Sequence, residues 1–382
     1  MSQAVSATPA KPAGGLEGVV AAKSGICFIN GTEGQLIYRG YDIADVVENL
    51  SFEEVAYLLW EGKLPNRAEL SNLKQRLSQS MKLPQHVDAI LRSMPKGTEP
   101  MDALRTAVSA LGEGDPDLHS NDHDANQRKA IRLTAQFPTI VTAFHRYRNA
   151  QAPIQPDPTL SVAANFLYML NGKKPHDTLV RVMDAALVLH AEHGMNASTF
   201  AARVIAATLA DMHAAVTGAV AALKGPLHGG ANQDVMELLL ECGDAETAEK
   251  KVRDMLSNKQ KVPGFGHRVY RTFDPRATFL RKMSKQLGEA AGNTKWYEMS
   301  ERLIGIAKET KNLNPNVDFF SASTYYTMGI PLDLFTPIFA VARVAGWTAH
   351  IMEQHINNRI IRPTDDYTGP FGLKVIPIDQ RE

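Results

Sequence analysis

Two histidines and one aspartate stand in glycine- or proline-rich segments, where such side chains can move protons to and from a substrate. His228 lies in KGPLHGG, 224–230, and His267 lies in PGFGHRVYRTFDPR, 263–276. Asp318 precedes the apolar stretch FFSASTYY, so partial burial would raise its pKa and make it a usable general base, although a helix N-cap gives the same pattern. Taken alone, the His228 motif favours an incidental histidine in a loop between helices.

Other histidines could be read as metal ligands. His190 and His193, in LHAEHGMNAST, stand three residues apart and would share one helix face, with Glu192 nearby. The HExxH spacing of helical zinc sites is absent and no third ligand is obvious, so buried or capping histidines are favoured. The polar segment 112–127 holds two more histidines among four aspartates, and here a solvated acidic loop is favoured over a metal site.

Several arginines stand where they could bind an anion. Arg268, Arg271 and Arg276 follow the GFG sequence, where exposed backbone N–H groups and guanidinium groups could cradle a phosphate or another anion. Arg343 is the only charged residue in FAVARVAGW, and Arg362 lies in RIIRP. A buried arginine needs an anionic partner, either a structural carboxylate or that of a ligand. The set suits a small polycarboxylate substrate and proton transfer beside a carbonyl, but the spacing does not name the reaction.

Composition limits the class of protein. A chain of 382 residues exceeds the size at which one hydrophobic core keeps growing, so two domains are expected. Forty-one basic and 41 acidic residues balance, which argues against nucleic acid or anionic lipid as a partner of the whole protein. Cys27 and Cys242 are too few for a disulfide framework, so the cytoplasm is the simplest location. No apolar run appears long enough for a membrane span, and residues 1–15 read as a disordered tail.

The elements that must position these residues are predicted to be helical. Two β-prone runs within 26–39 predict a small hairpin, and Ser51 with Glu54 forms a capping box for a helix that ends at Gly62. The rest of the chain predicts an all-α fold. Further helical periodicity occurs in 101–111, 130–146, 159–170, 178–192, 198–223, 231–241, 276–288, 296–310 and 334–354.

With these motifs in place, the chain resembles the citrate synthase family along nearly its whole length. The strongest match is GFGHRVYRTFDPR, 264–276, and LHAEHGMNAST, KGPLHGGANQ, PNVDFFS and ARVAGW agree in order and approximate spacing. The resemblance implies a homodimer with two helical domains and an active site in the cleft between them. A large domain would comprise 16–228 and 328–382, and a small domain 229–327.

The resemblance also implies a reaction and the residues that perform it. Acetyl-CoA would condense with oxaloacetate to give citrate and CoA, with no metal and no tightly bound cofactor. Asp318 would take a proton from the acetyl methyl group while His228 donates a hydrogen bond to the thioester carbonyl, and His267 would then polarise or protonate the carbonyl of oxaloacetate. Oxaloacetate would be bound by four residues: His193, Arg276, Arg343 and, from the partner subunit, Arg362.

The same matching assigns CoA to one loop and two basic side chains. The backbone of the loop would hold the adenine, through Val262, Pro263, Gly264, Phe265 and Gly266, while Arg271 and Lys311 would contact the phosphates. A 2-methylcitrate synthase, which uses propionyl-CoA, carries nearly the same set, so the motifs do not decide between the two substrates. An inactive helical scaffold would have lost Asp318, His228 or His267, and all three are present. A metal hydrolase is the remaining alternative, and activity that survives chelation would exclude it.

Overall fold

The computed structural model describes residues 14–16 and 18–381. The predicted disordered tail, 1–15, lies outside the described residues except for its last two positions, which belong to a short 3₁₀ turn, Gly14–Leu16. A small antiparallel sheet follows, with strands β1 (Cys27–Asn30), β2 (Gln35–Tyr38) and β3 (Tyr41–Asp42) in that order. The predicted hairpin is therefore confirmed, with a third short strand added at the β2 edge.

The remainder of the described chain is helical, as the all-α prediction requires. In chain order the helices are α1 (Ile43–Asn49), α2 (Phe52–Glu61), α3 (Arg67–Ser80), α4 (Gln85–Ser93), α5 (Pro100–Leu111), α6 (His123–Arg148), α7 (Val162–Asn171), α8 (Asp177–His190), α9 (Ala197–Ala206), α10 (Met212–Lys224), α11 (Ala231–Cys242), α12 (Ala245–Ser257), α13 (Pro275–Ala290), α14 (Lys295–Lys311), α15 (Val317–Thr327) and α16 (Phe335–Ile356).

Local capping chemistry explains where helices begin and end. The predicted capping box is present, because the Ser51 side chain accepts from the Glu54 N–H while the Glu54 carboxylate accepts from the Ser51 N–H, and α2 ends at Gly62 with φ 73°. The prediction of one helix over 198–223 is wrong. Leu209 takes a left-handed φ of 65°, and the Asp211 side chain caps the first turn of α10, so the segment divides into two helices.

Helix α16 forms the centre of the core. It packs against α2, α6, α8, α9 and α10, and its side chains are buried along nearly the whole length. With the 3₁₀ turn before it, Leu332–Ile356 is long and apolar enough to cross a membrane, and its most apolar window is completely buried. The expectation that no stretch reaches that length was therefore wrong. Contact with other helices on all sides accounts for its composition.

Helices α11 to α15 pack chiefly on one another, with smaller contacts to α1, α8 and α16. They fall within the segment predicted as a small domain, and the domain boundaries stay a prediction. The 112–127 segment is less solvated than predicted. Asp115 and Asp117 both pair with Arg132 at 2.7 Å, and the side chain of Asp115 is 3% exposed. Asp122 caps α6, so these acids fasten the segment to that helix.

Because Gly346 has no side chain, the backbone of α16 can come into direct contact with the residues that follow α8. A Cβ atom at this position would overlap the carbonyl oxygen of Ala191 and Oε2 of Glu192. These two residues immediately precede His193, so the close approach determines where that histidine stands. The sequence FAVARVAGW therefore places its small residue where two backbones meet.

We expect Gly346→Ala to lower the free energy of unfolding by about 1–3 kcal/mol, because the added methyl overpacks a backbone contact that cannot yield cheaply. Gly305→Ala is the matched control, since Gly305 lies within α14 with open space around its Cβ position. The control should stabilise the protein by about 0.5–1 kcal/mol. Urea denaturation gives the free energy of unfolding of both variants. An equal change in that free energy in both would show that the Gly346 contact is not tight.

Candidate active site

Two of the candidate histidines stand side by side. The rings of His193 and His267 have centroids 5.3 Å apart at an interplanar angle of 73°. The hydroxyl of Tyr270 lies 3.1 Å from Nε2 of His193 and ties the His267 loop to the segment after α8. His193 is buried, whereas His267 is half-buried and therefore open to a ligand on one side.

The loop that carries His267 fixes the tautomer of its ring. Nδ1 of His267 accepts hydrogen bonds from the backbone N–H groups of Val269 and Tyr270, at 3.0 and 3.1 Å. A nitrogen that accepts two such bonds carries no proton, so the neutral ring carries its proton on Nε2. His267 can therefore donate a hydrogen bond from Nε2 to a substrate oxygen.

His228 is oriented in the opposite sense by the start of α9. Its Nε2 lies 3.3 Å from the Ser198 backbone nitrogen, which donates to it, and 2.9 Å from the Ser198 hydroxyl. The proton of the neutral ring is then on Nδ1, which is left to donate elsewhere. Trp347 from α16 donates to the same hydroxyl at 3.1 Å, and Ser198 is completely buried. The start of α9 thus determines which nitrogen of His228 can donate, and α16 helps to hold the Ser198 hydroxyl in place.

Asp318 is placed by a buried ion pair that is distant in sequence, with α13 and α14 between them. Asp274 caps α13 and accepts from Nε and Nη2 of Arg276 at 3.0 and 2.8 Å. Its second oxygen also accepts the backbone N–H of Val317 at 3.1 Å, which fixes the first turn of α15. Asp318 is the next residue. Its helix is capped by Asn316, so the N-cap interpretation of Asp318 is wrong.

The ionisable groups around this site shift in opposite directions. Burial raises the pKa of Asp318 to about 6, with the positive charge of Arg276 opposing the shift. Burial, reinforced by Arg343, lowers the pKa of His228 to about 4. Burial, reinforced by Arg276, lowers the pKa of His267 to about 4 and that of His193 well below its usual value. Near pH 7 Asp318 is therefore ionised, and the three imidazoles are neutral.

Two buried arginines keep donors free. Arg343 is 1% exposed; its Nε donates to the carbonyl of His190 at 2.6 Å and its guanidinium lies over the ring of Phe339. Among the residues of 18–381, its two terminal nitrogens and Nη1 of Arg276 have no hydrogen-bond partner. Burial lowers the pKa of Arg343 to about 10, with the charge of Glu192 opposing the shift, so it stays charged at neutral pH. Such groups can take substrate carboxylates.

The candidate CoA loop is fastened to the approach to α15. Gly266 donates to the Asn314 carbonyl at 3.0 Å, and Asn316 donates from its backbone to the Gly264 carbonyl at 2.9 Å. The rings of Phe265 and Phe319 are in contact, with centroids 4.5 Å apart and planes tilted by 56°. The loop therefore moves together with the residue next to Asp318. Val262 is buried and Pro263 is half-buried.

Three of the predicted binding residues lie outside these contacts. Arg271, Lys311 and Arg362 are exposed, and no ion pair joins their side chains to the described residues. Arg362 follows α16 in an exposed segment without regular structure. The structure therefore gathers the histidines, Asp318, Arg276 and Arg343, and leaves these three cations on the surface.

Sequence reasoning missed four residues that orient the others. Asp274, Tyr270, Ser198 and Asn316 all stand inside the quoted motifs without an assigned role. Asp274 before Pro275 has the N-cap and N1 signature of a helix start, which could have been used.

Across 14–16 and 18–381, no group of three or more His, Cys, Asp or Glu side chains could hold a metal ion. Nδ1 of His190 is engaged by the Ala186 carbonyl at 2.7 Å.

Comparison with known proteins agrees with this geometry. A family model described as citrate synthase, C-terminal domain, matches residues 15–364. The chain is 51% identical over 368 residues to citrate synthase 2 of Bacillus subtilis (strain 168), covering 96% of this chain and 98% of that protein. It is 43% identical over 370 residues to 2-methylcitrate synthase of Shewanella oneidensis, covering 96% and 97%.

A solved structure extends the likeness to three dimensions. Citrate synthase from Thermoplasma acidophilum, in a ternary complex with carboxymethyl coenzyme A and oxaloacetate, aligns with a TM-score of 0.91 at 32% identity. The alignment covers 96% of this chain and 98% of that chain. Family model, sequence relatives and fold agree over nearly the whole length, and the chain therefore belongs to the citrate synthase family of acyltransferases.

Proposed function

We propose that the protein condenses acetyl-CoA with oxaloacetate and water to give citrate and CoA. The observation that carries this proposal is the site of a citrate synthase family member in which Asp318, oriented histidines and two arginines with free donors come together. The raised pKa of Asp318 and the lowered pKa values of the histidines support it. Enolisation of a thioester needs an anionic base at the C–H bond and a neutral N–H donor at the oxygen where charge develops. The reaction needs no tightly bound cofactor.

Asp318 and His228 perform the first step. The Asp318 carboxylate takes a proton from the acetyl methyl group, and Nδ1–H of His228 donates to the thioester carbonyl oxygen as it becomes the oxygen of the enol or enolate. Ser198 supports this role because it occupies Nε2 of the His228 ring. A neutral donor suits the step, since it stabilises the oxygen without protonating the base.

His267 acts in the second step. The enol carbon forms a bond to the carbonyl carbon of oxaloacetate, and Nε2–H of His267 donates to the oxygen that gains the electron pair. The free nitrogens of Arg343 and Arg276, with His193, hold the two carboxylates of oxaloacetate. Water then cleaves the citryl-CoA thioester and releases citrate and CoA. The loop 262–266, with Arg271 and Lys311, is proposed to hold CoA.

Arg362 is proposed to act in a second subunit. Its exposed side chain and the extended segment around it suit an arm that reaches the oxaloacetate site of a partner in a homodimer. The described cysteines, Cys27 and Cys242, are both free thiols, which fits a cytoplasmic enzyme. The proposed domains, with 229–327 as the smaller, would close around the substrates.

A 2-methylcitrate synthase is the second candidate, because a relative that carries this name matches nearly the whole chain. Propionyl-CoA differs from acetyl-CoA by one methylene, which is worth only about 1–3 kcal/mol in a pocket. The residues after Asp318 on α15 are proposed to line this region. An inactive scaffold is the remote alternative, and the retained catalytic set argues against it.

Release of CoA tests the proposed function. The purified protein with oxaloacetate should release CoA from acetyl-CoA with a higher kcat/KM than from propionyl-CoA, as measured with a thiol reagent both without and with excess chelator. A preference for propionyl-CoA would identify the second candidate. No release from either would contradict both, and loss of activity on chelation would point to a metal hydrolase.

The raised pKa of Asp318 predicts how the activity depends on pH. Because Asp318 works as a carboxylate and its pKa is about 6, kcat/KM should rise with pH through about 6 and level off above it. The histidines, with pKa values near 4, stay neutral across this range.

Asp318→Asn should lower kcat by about 10²–10⁴-fold and abolish exchange of the acetyl methyl protons with solvent, measured by NMR with an oxaloacetate analogue. Retained binding of the analogue is the control, and full exchange would remove Asp318 from this role.

Ser198→Ala should impair His228 without unfolding the protein. The variant removes the hydroxyl 2.9 Å from Nε2 of His228 and keeps the backbone N–H that donates to the same nitrogen. Losing a buried hydrogen-bond partner costs about 1–3 kcal/mol, so we expect kcat to fall about 5- to 150-fold while the KM for oxaloacetate changes little. Ser300→Ala is the matched control, because its buried hydroxyl donates to the Trp296 carbonyl within α14. An equal fall in kcat in both variants would mean that Ser198 serves stability rather than the orientation of His228.

A further inference from the structure

The tip of the β1–β2 hairpin meets the loop that carries His267. The backbone N–H of Arg271 donates to the carbonyl of Gly31 at 2.8 Å. Gly31 itself has no room for a side chain, because a Cβ atom there would overlap the carbonyl of Val269. Two main chains are therefore in direct contact at Gly31, through Val269 and Arg271 of the loop.

These loop residues are the ones that hold the His267 ring. The N–H groups of Val269 and Tyr270 donate to Nδ1 of His267, so the orientation of the ring follows the peptide units from 268 to 270. Gly31 abuts the carbonyl of Val269 and accepts from the N–H of Arg271, and so it restrains this stretch from the other side. The hairpin tip and the imidazole are fixed to the same short piece of backbone.

The hairpin also reaches the other histidine of the cluster. Cδ1 of Ile29, on β1, would lie 3.3 Å from a Cβ atom on Gly194, the residue after His193. The tip is held by Asn30, whose Oδ1 accepts from the N–H groups of Thr32 and Glu33 at 3.1 and 3.2 Å. One hairpin therefore contacts the segments of both His193 and His267.

We infer that Gly31 is a positioning residue, which fixes the His267 loop by main-chain contact so that the Nε2–H of His267 meets the oxaloacetate carbonyl. This inference rests on the proposed function, in which His267 serves the condensation step and Asp318 with His228 serve enolisation. A methyl group at position 31 pushes the carbonyl of Val269 away and rotates the imidazole. The condensation step is then lost while enolisation continues.

Gly31→Ala tests this by separating the two steps. Release of CoA with acetyl-CoA and oxaloacetate should fall at least about tenfold in kcat, since displacements on the order of 1 Å can cost about 10²-fold. In the presence of an oxaloacetate analogue, the acetyl methyl protons should exchange with solvent at the wild-type rate. The KM for oxaloacetate should also stay unchanged. Gly25→Ala is the matched control, because its Cβ atom would meet only the end of the Arg39 side chain at 3.6 Å.

Asn30→Ala provides a second variant that adds no volume. It removes the acceptor that shapes the tip, and CoA release should fall in the same direction with exchange retained. Equal loss of exchange and CoA release in Gly31→Ala, or full CoA release in both variants, would overturn the inference. A wild-type protein that shows neither CoA release nor exchange would instead contradict the proposed function, so the two failures are distinguishable.

Discussion

The buried ion pair between Asp274 and Arg276 is the interaction on which the site depends. Taking both charges out of water costs several kcal/mol, and only good geometry with further hydrogen bonds offsets that cost. Here the carboxylate has them, because it also accepts the N–H of Arg276 and that of Val317. The pair therefore starts α13, starts α15 and places Asp318 one residue beyond the second contact. Breaking the pair would move the base and leave an uncompensated guanidinium next to it.

Burial imposes the chemistry on the other groups. A carboxyl out of water becomes harder to ionise and an imidazole harder to protonate, so one environment raises the pKa of Asp318 and lowers that of His228. The charge of Arg276 opposes the shift of Asp318 and adds to that of His267. The guanidinium thus keeps the base ionised at neutral pH and the donor neutral, without touching either group.

The sequence predicted the elements whose signals are local. The capping box of α2, the hairpin and most of the long helices follow from periodicity and capping residues. The division between α9 and α10 was missed because apolar periodicity continues through 207–211. The local signal for a new helix there is Asp211, which caps the first turn of α10. The candidate site residues came from motifs, whereas the contacts of Ser198 and Gly31 depend on residues distant in sequence. Such pairings cannot be read from one chain without its fold.

The two buried arginines offer more hydrogen-bond donors than the described residues accept. Arg343 donates only to the carbonyl of His190, and Nη1 of Arg276 has no partner among residues 18–381. Buried donors without acceptors are costly, and that cost is lowered when a substrate carboxylate accepts from them. The proposed binding of oxaloacetate would therefore satisfy these donors and can favour a closed arrangement around the reacting atoms. Because the charges of Arg276 and Arg343 oppose the raised pKa of Asp318, pairing them with substrate carboxylates would raise the pKa of Asp318 further and make the proposed base stronger.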